Sequence, residues 1–532
     1  MNNVPKRTPV LSGVTVLTIS TLMVKVVGLV YKIPLMHFLG AEGMGYFNSA
    51  YELYTLFFVI ATAGLPVAVS ILVSESVARG RMQNVRKIYR ISLSLFLAVG
   101  VVGTLVLVLG ATAFSQWIKS PRAAASIAFI APALFFVSIA SAVRGYFQGN
   151  QNMRPTAVSQ IIEALGKLMF GVVLAAVAVR QGKSPEQAAA FAVLGLVMGS
   201  AASMLYLLIT GKRAKNKNLA VDKTATDGAC RIFHSLVALS VPVTVGASVS
   251  GLTRVVDMTL ILRRLSDLGY DSIAANELFG SYSTLAIPIY HLPSALIAGI
   301  AVSLVPALSA VSGEAERETR DTLLHGALRL CCFVAVPCAF GLAVFSRPIL
   351  SLLFVGEGQA IAVSAPLLSL LGAAVPSACL LTVTTAALQA SKRAPLPIFS
   401  MLIGIVVKVA SGYLLIGIPS VAMMGAPIST LLCNLTAVGM NLCFMEKNGV
   451  AAIGMGRILL RPAFAAAIAT LISVGGYLLA IMRVGEAVAF LMALLLFAAV
   501  YVAMAVVVRA FSAPDIALIL GKKKDEKRLL GE

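Results

Sequence analysis

Charge is scarce in this sequence. Asp, Glu, Lys and Arg make up 12% of the 532 residues, against roughly 25% in an ordinary soluble domain. So low a share over so long a chain excludes a fold that meets water on every side. The four histidines, His37, His234, His291 and His325, are isolated from one another, which argues against a metal cluster. The seven cysteines make no C-x-x-C, sit mostly in apolar stretches and include the neighbours Cys331 and Cys332. They read as neither a zinc site nor a disulfide framework. No G-x-x-x-x-G-K-[ST] loop is present, so no ATP site of that kind is expected. Nor is there a polar stretch long enough for a soluble domain with an active site. The chain is therefore not read as an enzyme, and no cofactor or metal is assigned. Alternating segments of about 10 residues, the mark of a membrane β-barrel, are absent too.

What the sequence has is apolar length. Hydrophobic residues are 59% of the chain and the mean hydropathy is +0.93. Apolar runs of about 20 residues, enough to cross a bilayer core as a helix, recur from end to end. The expectation is an all-α polytopic membrane protein with about fourteen transmembrane helices. Their limits are 10–36, 46–74, 88–115, 123–147, 155–180, 187–210, 234–262, 278–311, 322–346, 361–389, 396–417, 421–445, 458–481 and 486–510. Pro288, Pro293 and Pro306 predict that the longest, 278–311, is broken or partly interfacial. MNNVPKR before the first apolar run resembles a signal peptide in charge, but lacks an A-x-A cleavage site. It is read as the start of an uncleaved span.

The net charge of +20 does not point to nucleic acid. The basic residues lie in short runs between spans, on alternating sides. One side collects 26 Lys and Arg, including both termini, Arg79 to Arg90, GKRAKNKN and KKKDEKR. The other side collects 8. By the positive-inside rule both termini are expected in the cytoplasm of a plasma-membrane protein.

The halves of the chain repeat. Gln148, Lys167 and Gly171 have the spacing of Gln389, Lys408 and Gly412, shifted by 241. Lys25-Val26-Val27 with Gly40 recurs as Arg254-Val255-Val256 with Gly269, shifted by 229. Span 1 starts on the same side as span 7, so the repeat is six spans in parallel topology, with spans 13 and 14 added. This gives a six-helix bundle over 1–210, a basic linker over 211–233 and a second six-helix bundle over 234–446. Two extra helices over 447–510 and a basic tail over 511–532 complete the chain.

A charge at mid-span costs about 2.5–3.5 kcal/mol on the insertion scale, so Lys25, Lys167, Arg254 and Lys408 must face protein or a watery cavity. They lie on spans 1, 5, 7 and 11, the symmetry-paired helices. Lys25, Gly28 and Lys32 share one helix face, and Gly28 leaves room there; Lys32 reads equally as a snorkelling interfacial lysine. Glu163 and Lys167, at i and i+4, and Arg254 and Asp257, at i and i+3, read either as self-neutralising pairs or as parts of a polar site. Glu52 has no local partner; it pairs with Lys25 or takes a proton in coupling. Arg144 is expected low in span 4, near the inner interface. Lys25 and Lys408 have no carboxylate one turn away, which suits them to an anionic ligand.

Three runs carry a resemblance: KVVGLVYKIPLMHFLGAEGMGYFNSAYELYTLFFVIATAGLPVAVSILVSE from Lys25, RGYFQGNQNMRPTAVSQIIEALGK from Arg144, and LPSALIAGIAVSLVPALSA from Leu292. They resemble the stage V sporulation protein B family, a polysaccharide-biosynthesis branch of the multidrug/oligosaccharidyl-lipid/polysaccharide exporter superfamily. More distantly they resemble the lipid II flippases. The resemblance implies two six-helix bundles around a V-shaped central cavity, with two further C-terminal helices forming a groove for a lipid tail. It implies a flippase that moves an undecaprenyl-diphosphate-linked glycan or peptidoglycan precursor to the outer leaflet by alternating access, for cell-wall, spore-cortex or polysaccharide synthesis. Lys25, Arg254, Lys408, Lys167 and Lys32 are then the substrate-binding candidates, and Glu52, Glu163 and Asp257 the coupling or counter-ion candidates. The implied partners are the prenyl-diphosphate glycan, membrane lipid and the cell-wall or polysaccharide machinery, with no nucleic acid and a monomer as the working unit. The alternatives are a cation-coupled multidrug exporter of the same fold, whose cavity should favour carboxylates, and a membrane scaffold or glycan polymerase component.

Overall fold

The computed structural model describes residues 10–217, 227–310, 317–391, 393–447 and 454–508. The basic tail 511–532 and residues 218–226 of the linker lie outside them. The described chain is helical nearly throughout, because in lipid a helix satisfies its own backbone polar groups.

By packing, the chain divides into two compact units, Met1–Thr284 and Leu285–Glu532. The first holds α1 (Val10–Thr62), α2 (Leu65–Ala78), α3 (Met82–Trp117), α4 (Ala124–Ile130), α5 (Pro132–Gly149), α6 (Arg154–Arg180), α7 (Pro185–Lys217), α8 (Ala229–Asp267) and α9 (Ser272–Ser281). The packing boundary falls later than the linker because α8 and α9 lie along α1. Packing and internal repetition are different relations, and here they group the helices differently.

Among the described residues, thirteen helical stretches are long and apolar enough to cross a membrane, and they follow the fourteen expected spans in order. The first stretch, Met23–Ala78, holds two spans. Gly40, at φ 65° and ψ −179°, breaks α1. The Tyr31 and Phe47 rings are 6.0 Å apart, although 16 residues of straight helix would separate them by about 24 Å. The chain therefore folds back at Gly40, and the two arms of α1 lie side by side. The expected break in 278–311 is also seen. After α9 the helix widens into a π turn at Tyr282–Ala286, then continues as α10 (Ile287–Ala310). Pro288 sits just past it and has no N–H to donate to the preceding turn.

The second unit holds α10, α11 (Arg317–Leu353), α12 (Gly358–Ala390), α13 (Pro395–Ile416), α14 (Gly425–Lys447), α15 (Met455–Val484) and α16 (Glu486–Val507). The last two helices pack on α11. Phe345 meets Phe490 and Ala493 in one buried cluster, and the Tyr501 hydroxyl donates to the Phe333 carbonyl at 2.8 Å. Their outward faces carry exposed Leu460, Leu471, Leu479 and Leu495, as expected of helices solvated by lipid.

Candidate functional site

The site begins with a helix crossing in the first unit. Gly166 and Gly171 of α6 meet Gly195 and Gly199 of α7. A Cβ on Gly199 would stand 2.6 Å from the Glu163 carbonyl oxygen and 2.8 Å from the Lys167 nitrogen. One on Gly171 would stand 2.5 Å from the Tyr31 hydroxyl oxygen. Small residues let membrane helices approach this closely, and here they set the depth at which α6 presents Glu163 and Lys167.

Those two residues do not pair with each other. Arg144 of α5 is buried, and its Nη2 donates to Glu163 Oε2 at 2.8 Å and to Ser203 Oγ at 3.0 Å. Its Nε donates to Ser159 Oγ at 3.0 Å. This corrects one expectation: the counter-ion of Glu163 is Arg144 rather than Lys167. The i, i+4 spacing made a Glu163–Lys167 pair available, but a guanidinium with three well-placed acceptors outcompetes one ammonium.

Lys167 goes to aromatic rings instead. Its Nζ stands 4.9 Å from the centroid of Tyr31 and 4.4 Å from that of Tyr51, one ring from each arm of α1. Two cation–π contacts at about 0.5–2 kcal/mol each offset much of the cost of a charge at this depth, so the lysine needs no carboxylate. Beside it is a cavity of about 350 Å³ lined by Lys25, Gly28, Tyr31, Tyr51, Glu163 and Lys167, with Arg144 and Gln160 also on its wall. A Cβ on Gly28 would meet nothing within 4 Å, so that face of α1 is open as the sequence suggested.

Lys32 is held inside rather than snorkelling. Its Nζ donates to the Ser283 carbonyl at 2.8 Å, in the π turn that precedes Pro288. From the other arm of α1, Asn48 Nδ2 donates to Ser283 Oγ at 3.0 Å and to Thr284 Oγ1 at 2.8 Å. Both arms thus latch one π turn, a backbone feature often found at functional sites. Asn48→Leu is expected to lower stability by about 1–3 kcal/mol, since it removes both bonds and takes the amide donor from the buried Thr284 hydroxyl. Thermal unfolding in detergent measures this; an unchanged midpoint would show that the latch contributes nothing.

Glu52 lies among the charges of Arg254, Lys32, Asp257 and Lys167, with its Oε2 buried and without a hydrogen-bond partner among the described residues. Arg254 and Lys25 are both exposed and near enough to repel each other. The first unit therefore gathers Lys25, Lys32, Glu52, Glu163, Lys167, Arg254 and Asp257. Lys408 belongs to α13 of the second unit and is 3% exposed. Gly404, which aligns with Glu163, is where α13 meets α14: a Cβ there would stand 2.9 Å from the Cys433 carbonyl oxygen. A glutamate has no room at that position, which explains why the carboxylate is not repeated. Sequence reasoning missed Tyr31, Tyr51 and Asn48 because aromatics and one asparagine in an apolar run look like ordinary packing. Their signal was present only as periodicity, Asn48 and Tyr51 being one turn apart.

Residues 10–312 match the polysaccharide biosynthesis protein family. The chain belongs to that family. Residues 280–414 also match the MatE family. Among its relatives, stage V sporulation protein B of Bacillus subtilis (strain 168) is 28% identical, over 79% of this chain and 80% of that one. The lipid II flippase MurJ of the same organism is 26% identical, over 78% of each. A solved MurJ structure in an inward closed conformation superposes with a TM-score of 0.65 at 17% identity, covering 93% of this chain and 98% of that one. An inward-facing multidrug resistance MATE family transporter of the MOP superfamily also gives 0.65, at 14% identity, over 81% and 98%. The fold is the MOP fold, and the chain is a multi-pass membrane protein with that fold, as the resemblance implied.

Proposed function

We propose that the protein moves an anionic lipid-linked glycan of the undecaprenyl-diphosphate type from the cytoplasmic to the outer leaflet by alternating access. The observation that carries the reading is the cavity of the first unit. Its one carboxylate, Glu163, is taken by Arg144 at 2.8 Å, which leaves Lys25 and Lys167 as positive charge facing the space. A diphosphate is the ligand chemistry that matches. In this reading Lys25 and Lys167 engage it as point charges, Arg254 and Lys32 add to the field, and Lys408 has the same anion-binding role in the second half of the repeat. The sugars occupy polar space, and the prenyl chain stays in lipid beside α15 and α16. Both termini are assigned to the cytoplasm by the loop charge.

No P-loop is present to use ATP, so the drive is assigned to the lipid gradient or the membrane potential, worth about 2.3 kcal/mol per charge per 100 mV. With the cytoplasm negative, the potential favours outward movement of an anion. If the site's cations neutralise the ligand, it favours return of the empty site. Glu52 and Asp257 are the groups assigned to any ion coupling.

The MatE match over 280–414 favours one second reading, a cation-coupled drug exporter. A lysine-lined cavity opposes it, because cationic drugs call for carboxylates. In proteoliposomes, head-group accessibility of several prenyl-diphosphate glycans is expected to show flipping, and Lys25→Ala and Lys408→Ala are each expected to slow it at least about tenfold. No flipping of any glycan, together with efflux of a cationic dye, selects the exporter. Full transport by both folded variants removes the anion site.

A further inference from the structure

At the far ends of α2 and α8, away from the lysine cavity, α2, α3 and α8 enclose a second pocket of about 300 Å³. Its frame is well built. α2 ends at Ala78, Gly80 takes a left-handed φ of 72°, and α3 starts at Met82. Asp227, just before α8, is fastened to this turn. Its carboxylate accepts from Asn84 Nδ2 at 3.0 Å and stands 4.0 Å from Arg81 Nη1. Its N–H donates to Asn84 Oδ1 at 3.1 Å, and its carbonyl accepts from Lys87 Nζ at 2.5 Å. These contacts occupy Asp227, Arg81 and Lys87 as structure.

Two guanidiniums are left over. Arg79, at the end of α2, and Arg231, in the first turn of α8, both line the pocket. Neither side chain has a hydrogen bond or ion pair among the described residues. Glu75 precedes Arg79 by one turn, also on the pocket wall, without pairing with it. The guanidinium fork matches the oxygens of a phosphate, and Ser76 and Ser235 on the same wall supply further donors. Position narrows the source. Both arginines lie at the ends of membrane-length stretches, Met23–Ala78 and Ala229–Asp267, where lipid headgroups are found. Val67, Ile71 and Phe233 nearby in sequence are exposed apolar residues.

We propose that this pocket binds a phosphate group, monoester or diester, between Arg79 and Arg231, as a site separate from the lysine cavity. The same chemistry belongs to a phospholipid headgroup and to a soluble phosphate ester, and the location favours the headgroup.

The test uses the purified full chain in detergent, with binding read by native mass spectrometry. The probes are phosphatidic acid, phosphatidylglycerol, diacylglycerol and glycerol 3-phosphate. The expected result is at least about tenfold tighter retention of the two phospholipids than of diacylglycerol, lost in Arg79→Gln/Arg231→Gln but kept in Arg180→Gln/Lys183→Gln, a charge-matched control at the other end of the bundle. Strong displacement by glycerol 3-phosphate assigns the site to a soluble phosphate ester, and weak displacement assigns it to a lipid; both support phosphate binding. Equal retention of phosphatidic acid and diacylglycerol by the unaltered protein overturns the proposal, as does unchanged discrimination in the double variant. If the double variant does not fold, the two single variants are read with the same probes.

Discussion

Arg144→Ala is expected to destabilise the protein by about 3–5 kcal/mol, the cost typical of removing one partner from a buried ion pair. The argument rests on what is left behind. Glu163 Oε2 loses its contact at 2.8 Å, and Ser159 and Ser203 lose a charged donor. Glu163→Gln in the Arg144→Ala background is expected to recover part of the loss, because a neutral amide tolerates burial better than an orphaned carboxylate. Thermal unfolding of the four proteins of this cycle in detergent gives the coupling. Purely additive losses would mean that the pair is incidental. A second consequence concerns transport. Without Arg144, Glu163 has Lys167 one turn away as its nearest cation on the same helix, and pairing there would cancel the charge that the lysine brings to the cavity.

Gly199→Leu is the substitution expected to do most damage at the α6–α7 crossing. Even its Cβ would stand 2.6 Å from the Glu163 carbonyl oxygen and 2.8 Å from the Lys167 nitrogen. Both are backbone atoms, which cannot swing aside like a side chain, so the two helices must separate. Overpacking of a well-packed core costs about 1–3 kcal/mol and sometimes more, and this case is expected at or above that range. Flipping is expected to fall further than stability, since α6 carries Glu163 and Lys167 into the cavity. Gly28→Ala is the control: nothing lies within 4 Å of its added Cβ, so its unfolding midpoint should not move. Normal flipping by Gly199→Leu would show that the depth of α6 is not critical.

The fold was legible because lipid imposes one rule on every span, about 20 apolar residues per crossing, and the same rule makes charges inside a span conspicuous. Lys25, Lys167, Arg254 and Lys408 were visible for that reason. Their partners were not. Spacing along a helix offered Glu163 to Lys167, while the guanidinium that takes Glu163 lies 19 residues away on α5. Tyr31 and Tyr51 reach Lys167 only because the chain doubles back at Gly40. The carbonyl that holds Lys32 belongs to a π turn 251 residues downstream.

The sequence by itself determined the order of the spans, the family and the surplus of positive charge among them. Each of these is a local or repeating property, readable from composition and period. Only the tertiary structure decided which partners those charges take. That depends on long-range pairing: Arg144 withdraws Glu163, two tyrosine rings stabilise Lys167 without neutralising it, and four glycines bring α6 and α7 close enough for the arrangement to exist.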